Sequence, residues 1–237
     1  MGRGNAGRAT LVALAVLAGA AESAEGQRRS AGSWGIGVIG ADPVGELGAY
    51  FDAGGGLQFL GSLALDPESR IRLRGDFGFL IYGYEQQHFC WEAPVGCRIE
   101  MDLNTTNNIL FGGVGPEVVL ASGAVEPYVN ASLGFSYFVT TSSLEGESDM
   151  EDFASTTNYD DLVLAWRAGG GMRVHLGGTR RPVFLDLGVE RHQNGIAHFL
   201  TEGDIVDHPD GSISFLENRA EANMVVFRLG VSVGIPR

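Results

Sequence analysis

Residues 54–84 carry the clearest pattern in the chain. Leu57, Phe59, Leu63 and Leu65 fall at odd positions, and Gln58, Ser62 and Ala64 at even ones, with Leu60 the exception. Asp66-Pro67-Glu68-Ser69 interrupts with turn chemistry. The odd positions then resume with Ile71, Leu73, Phe77, Phe79 and Ile81, and the even ones with Arg72, Arg74, Asp76, Gly78, Leu80 and Tyr82. Two alternating arms around a short turn predict a β-hairpin. Each arm is longer than the ~5–6 residues usual in water-soluble sheets. One face is large and apolar throughout. The other mixes glycine, small polar residues and a few charges, which suits a crowded interior better than a solvated surface.

The same alternation recurs along the chain. It predicts strands over 33–40, within 54–84 (two), and over 108–120, 128–140, 161–176, 182–192 and 221–235. Longer loops are expected at 41–53, 85–106, 141–160 and 193–220, with short turns after the second, fourth and sixth strands. Eight strands with alternating long and short connections predict an all-β fold, an eight-stranded antiparallel up-and-down transmembrane β-barrel. Its apolar face would meet lipid, with Trp34, Tyr137, Trp166 and Phe227 near strand ends as interfacial aromatics. The Asp-Gly turn at 210–211, between apolar Ile205, Val206, Ile213 and Phe215, predicts a further hairpin inside the last loop.

Strand parity directs Arg72, Arg74, Arg167, Arg173 and Arg228 into the lumen, with Asp76, Glu117, Asp186, Glu190, His175 and His192. Five cations against four carboxylates is close to balance, and a barrel of eight strands is just wide enough for side chains to fill. A paired structural network is therefore expected rather than an open pore; a narrow ion path along these charges is the alternative.

Composition agrees with a barrel. Glycine is abundant, at 36 of 237 residues, without a period-three repeat. The formal net charge of −13 argues against nucleic acid as a partner. Residues 1–20 read as a signal peptide: Arg3 and Arg8, then apolar 10–17, then Ala18-Gly19-Ala20. Residues 21–32 read as a flexible lead, leaving 33–237 as the barrel domain. Export to an oxidising compartment predicts a local disulfide between Cys90 and Cys97, the only cysteines. Residues 141–160 carry six carboxylates and no basic residue. They lack the spacing of an EF-hand and read as a solvated loop.

Residues 113–120 (GVGPEVVL) and 225–235 (VVFRLGVSVGI), within this architecture, resemble small bacterial outer-membrane β-barrels of the OmpA/OmpX type. The resemblance implies an outer-membrane location and, as partners, membrane lipid and the barrel-assembly machinery, which reads the last strand. The ending Gly234-Ile235-Pro236-Arg237 departs from the aromatic terminus frequent in such families. A monomer is expected, with no cofactor, no metal and no catalytic residues. Glu190-Arg191-His192-Gln193-Asn194-Gly195 is loosely similar to the His-x-Ser-Asn segment of outer-membrane lipid A deacylases, but Asn194 stands where the nucleophile would. A water-soluble lipocalin-like carrier would need the opposite parity.

Overall fold

The computed structural model describes residues 30–93, 96–146, 149–178, 180–208 and 212–236, and only the backbone at 89–93, 96–101, 145–146, 149–154 and 207. The expected signal peptide, most of the expected lead, and the side chains of Cys90 and Cys97 lie outside the described residues. The first strand takes in residues 30–32, which the sequence reading assigned to the lead.

Eight strands form a closed ring: β1 (Ser30–Pro43), β2 (Gly54–Ala64), β3 (Ile71–Ala93), β4 (Gly96–Val119), β5 (Val125–Gly146), β6 (Asp149–Gly177), β7 (Val183–Asn194) and, last in the chain, β12 (Met224–Pro236). Each pairs antiparallel with its neighbours, and β12 returns to close on β1. Between β7 and β12 lie β8 (Ile196–Phe199), β9 (Ile205–Asp207), β10 (Ile213–Phe215) and β11 (Asn218–Glu221). There β9 pairs with β10, and β8 with β11, as two nested hairpins. The inner hairpin is the one expected from Ile205, Val206, Ile213 and Phe215.

The register fixes the barrel's shape. Paired residues lead from Ala41 through Val226, Glu190, Gly169, Asn130, Glu117 and Arg72 to Ala64. Ala64 is one step beyond Leu63, the partner of Gly32, so the ring returns to β1 ten positions down, from 41 to 31. A stagger of this size in eight strands tilts them by about 35–45° and leaves an interior that side chains can fill.

Two expected loops are strands instead. Residues 85–93 and 96–106 extend β3 and β4, and 141–146 and 149–160 extend β5 and β6. These four strands run 22–29 residues, about twice the ~9–11 that cross a membrane. They rise beyond the ring as a wall, tied by paired hydroxyls: Thr105 to Ser142 at 2.8 Å and Thr106 to Thr141 at 2.9 Å. Both faces of this wall lie outside the apolar belt, so a period-two hydrophobic signal has no reason to persist. β1, β2, β7 and β12 stop at 11–14 residues.

At the opposite end the turns are short, at 65–70, 120–124 and 178–182. In the first, Asp66 accepts the amides of Ile71 (2.7 Å) and Glu68 (3.1 Å), and Ser69 takes φ 59°. Desolvation, which would raise the Asp66 carboxyl, is outweighed by the amides of Ile71, Arg70 and Glu68, which hold it below its ordinary value of 3.8. A depressed folded value contributes stability that is complete above the unfolded value and disappears as pH falls through the folded one. Melting in detergent from pH 6 to pH 2 should therefore lower the wild-type midpoint more than that of Asp66→Asn. Parallel curves would remove the turn from this account.

Candidate functional site

The interior is built in two halves. Near the short turns it is ionic. Arg72, Arg74, Arg167, Arg173 and Arg228 are buried there with Asp76, Glu117, Glu126, Asp186 and Glu190. Glu117, fully buried, accepts from Arg173 (2.5 Å) and Arg74 (3.4 Å) and lies 3.8 Å from Arg72. Arg72 also reaches Glu126 (3.8 Å) and donates to the Ser69 carbonyl (3.1 Å). Arg74 crosses the lumen to Glu190 (2.5 Å), which also receives Arg228 (3.2 Å) and Asn130 (3.2 Å). Arg228 donates to Gln58 (3.0 Å) and Tyr128 (2.5 Å); the Tyr128 hydroxyl donates to Asp186 (2.7 Å). Arg173 lies over the Tyr128 ring, 4.4 Å from its centroid. One layer up, Arg167 pairs with Asp76 (2.9 Å), donates to the carbonyls of Gly112 and Phe135, and covers the Phe111 ring at 5.0 Å.

Five arginines thus meet five carboxylates. Glu126 completes the balance. The alternation from Tyr128 places it in the preceding turn, but β5 starts at Val125, and Glu126 shares the inward parity of Tyr128. Extending that alternation by two residues would have found it. Balance matters because an unpaired charge in this setting costs several kcal/mol. A cavity of about 10 Å³, lined in part by Ser62, Arg74, Glu117, Arg173, Asp186 and Ser232, is room for about one water.

Toward the other end the interior turns apolar. Ile39, Leu80, Ile109, Phe138, Val226 and Met224 converge inside the ring. A 3₁₀ helix (Gly45–Ala49) and the segment around β8 and β11 fold over them, burying Leu47, Ala197, Phe199, Leu200, Ala220 and Ala222. Phe199 meets Tyr50 edge-on (5.1 Å) and lies tilted against Phe138 (5.9 Å), and the Tyr82 hydroxyl donates to the Leu200 carbonyl (3.0 Å). Val44 N donates to Asn223 O, and Asn194 reaches Ala222 O at 2.6 Å. This lid was not foreseen, because its residues come from segments that read as loops.

The structure brings together Arg72, Arg74, Asp76, Glu117, Arg167, Arg173, Asp186, Glu190 and Arg228 in the ionic half, with His192 beside Glu190. His192 is fully buried, 3.7 Å from Glu190 and edge-on to Phe111 at 5.0 Å. His175 lies at the margin of this network, where its charge acts on Glu126. It meets Phe184 edge-on (5.3 Å) at the short-turn opening and is half-buried. Asn194, in the position of a nucleophile, accepts from Ser136 (2.8 Å).

Phe111 can lie flat in this interior because its cross-strand partner is Gly78. A Cβ at Gly78 would stand 2.2 Å from the Phe111 ring. Gly78→Val should displace the ring from Arg167 and His192 and cost about 1–3 kcal/mol, the usual range for overpacking. Urea unfolding in detergent measures this; an unchanged midpoint would show the ring free to move.

No protein-family model matches the chain, and no curated protein matches it. Solved structures similar to it include Neisserial surface protein A (NspA; 13% identity, 88% of this chain, 98% of that one, TM-score 0.44). Another is Ail, the attachment invasion locus protein of Yersinia pestis, in complex with the heparin analogue sucrose octasulfate (10% identity, 85% and 96%, TM-score 0.43). A third is a major outer membrane protein from Thermus thermophilus (14% identity, 84% and 98%, TM-score 0.39). On its own closed hydrogen-bonded ring, with charge inside and an apolar wall outside, this chain has the fold of an eight-stranded antiparallel up-and-down transmembrane β-barrel.

Proposed function

We propose that the chain is an integral protein of the bacterial outer membrane, exported by its N-terminal signal peptide. It acts as a structural or surface-interaction protein through the acidic extensions at its long-hairpin end, without catalysis and without conduction. The observation that carries this reading is its sidedness. Trp34, Val38, Phe59, Leu73, Leu133 and Leu164 are among the large apolar side chains exposed on the wall, Leu164 to 87%. Ten charged side chains are buried within. A contiguous exposed apolar surface of this kind marks contact with lipid, and a water-soluble carrier would invert it. Lipid and the barrel-assembly machinery are then its partners, and the filled interior suits a monomer with no conducting path. The enzymatic reading is disfavoured by the burial of His192 against Phe111 and by the use of Asn194 as a hydrogen-bonding anchor. The six carboxylates of 141–160 favour cationic partners over anionic ones at the outer end.

Fractionation tests the reading. The protein should stay with envelopes through carbonate and high salt, and should migrate differently on gels before and after boiling. Release by carbonate would overturn it. Envelope-lipid hydrolysis lost in His192→Ala would reinstate the enzyme, and steady conductance in planar bilayers would reinstate the channel.

A further inference from the structure

We infer that Arg191, with Gln193 and beside Trp166, forms a binding site on the outer wall for the phosphate of an anionic lipid. The inference rests on the membrane reading above. The chain contains no lysine; all 16 of its Lys+Arg positions are arginine. Among the described side chains on barrel strands, five arginines are buried in the lumen beside carboxylates, and Arg191 alone points out. It continues the outward row of Leu187 and Val189 on β7, and its cross-strand partners are Val225 and Ala168. No ion pair to Arg191 forms among the described residues. Its Nε donates to Gln193 Oε1 at 3.2 Å. Trp166, opposite Gln193, flanks the pair on β6, and Phe227, opposite Val189, flanks it on β12.

A guanidinium in an apolar wall needs an anion or a path to water, and the penalty falls toward the membrane margin. Arg191 lies three residues before the end of β7, at the barrel end that carries the strand extensions, where a long side chain can extend toward the headgroup level. The bond from Nε to Gln193 orients the planar group. Nη1 and Nη2 carry no hydrogen bond among the described residues, which leaves the edge that can pair with two phosphate oxygens. The aromatic neighbours suit the interface where such a phosphate lies. Phospholipid, glycolipid and inorganic phosphate share the chemistry; the apolar surroundings commit the site to a lipid.

Trp166 serves as reporter. With Trp34→Phe and Trp91→Phe, it is the one remaining tryptophan. The full chain is reconstituted in phosphatidylcholine vesicles containing either brominated phosphatidylglycerol or brominated phosphatidylcholine, and folding is checked by heat-modifiable migration. The anionic lipid should quench Trp166 about fivefold more effectively per molecule, the ratio given by one basic side chain near an anionic headgroup. Arg191→Gln should bring the ratio to one, and Arg191→Lys should retain part of it. Inorganic phosphate should leave it unchanged. A ratio of one in the Arg191 protein, a ratio that survives Arg191→Gln, or one abolished by inorganic phosphate overturns the site while the membrane reading stands. A folded protein that neither lipid quenches overturns the membrane reading itself. If the two phenylalanine substitutions prevent folding, the wild-type protein is incubated with equal amounts of the two lipids and examined by native mass spectrometry. Preferential retention of phosphatidylglycerol, lost in Arg191→Gln, supports the site; equal retention overturns it.

Discussion

Glu117→Ala should lower the unfolding free energy of the barrel in lipid vesicles by about 3–5 kcal/mol, the range for breaking a buried ion pair from one side. Glu117 is fully buried and is the carboxylate shared by Arg74, Arg173 and Arg72. Its removal strands positive charge without supplying a substitute. Arg173 keeps Asp186 at 3.5 Å and Arg74 keeps Glu190, so the fold should survive with a shifted urea midpoint. Glu117→Gln should lose stability in the same direction, since shape is retained and charge is not. Combining Glu117→Ala with Arg173→Ala should cost less than the two single changes added together, by about 0.5–3 kcal/mol of coupling. A loss below about 1 kcal/mol for Glu117→Ala would mean that water or mobile ions compensate these charges.

Phe77→Arg carries the second large effect and tests the outside of the wall. Phe77 faces outward on β3, between Phe59 of β2 and Gly112 of β4, and is half-exposed. In a bilayer, an arginine near mid-depth on the outer face of a barrel costs about 2–4 kcal/mol. In water, an exposed phenylalanine replaced by arginine usually changes stability by about 0.5 kcal/mol or less. Vesicle insertion, followed by tryptophan fluorescence and protease protection, should show a reduced folded fraction for Phe77→Arg. Insertion equal to wild type would invert the assignment of inside and outside.

Much of the barrel could be read from residues 54–84, because a strand with one face in the core and one in lipid writes its period directly into the sequence. Arg72, Arg74 and Asp76 stand at the inward positions of that alternation. The extensions of β3–β6 could not be read the same way. At Thr105, Thr106, Thr141 and Ser142 both faces lie beyond the apolar belt, so the backbone ladder and paired Thr and Ser hydroxyls, rather than hydrophobic contrast, hold the strands together. The lid escaped for a different reason. Leu47, Phe199 and Leu200 are apolar residues in polar surroundings, and only the fold-back of distant segments reveals that they share a core. Arg191 was visible as an outward residue by parity. Its lack of a carboxylate partner among the described residues could be seen only after the other barrel arginines had been placed.

Arg228 sits on the last strand and reaches Gln58 on β2, spanning β1 and the junction where the ring closes. It also meets Glu190 and Asp186, on the neighbouring strand β7. One side chain therefore works as a clasp across the seam. Without β12, the other seven barrel strands would be an open sheet with two free edges, and the carboxylates of Asp186 and Glu190 would lack this partner. Arrival of β12 supplies the missing hydrogen-bond edge and the missing cation together. Sealing the sheet and completing its charge balance thus depend on the same strand, and a chain truncated before Arg228 lacks the means for either.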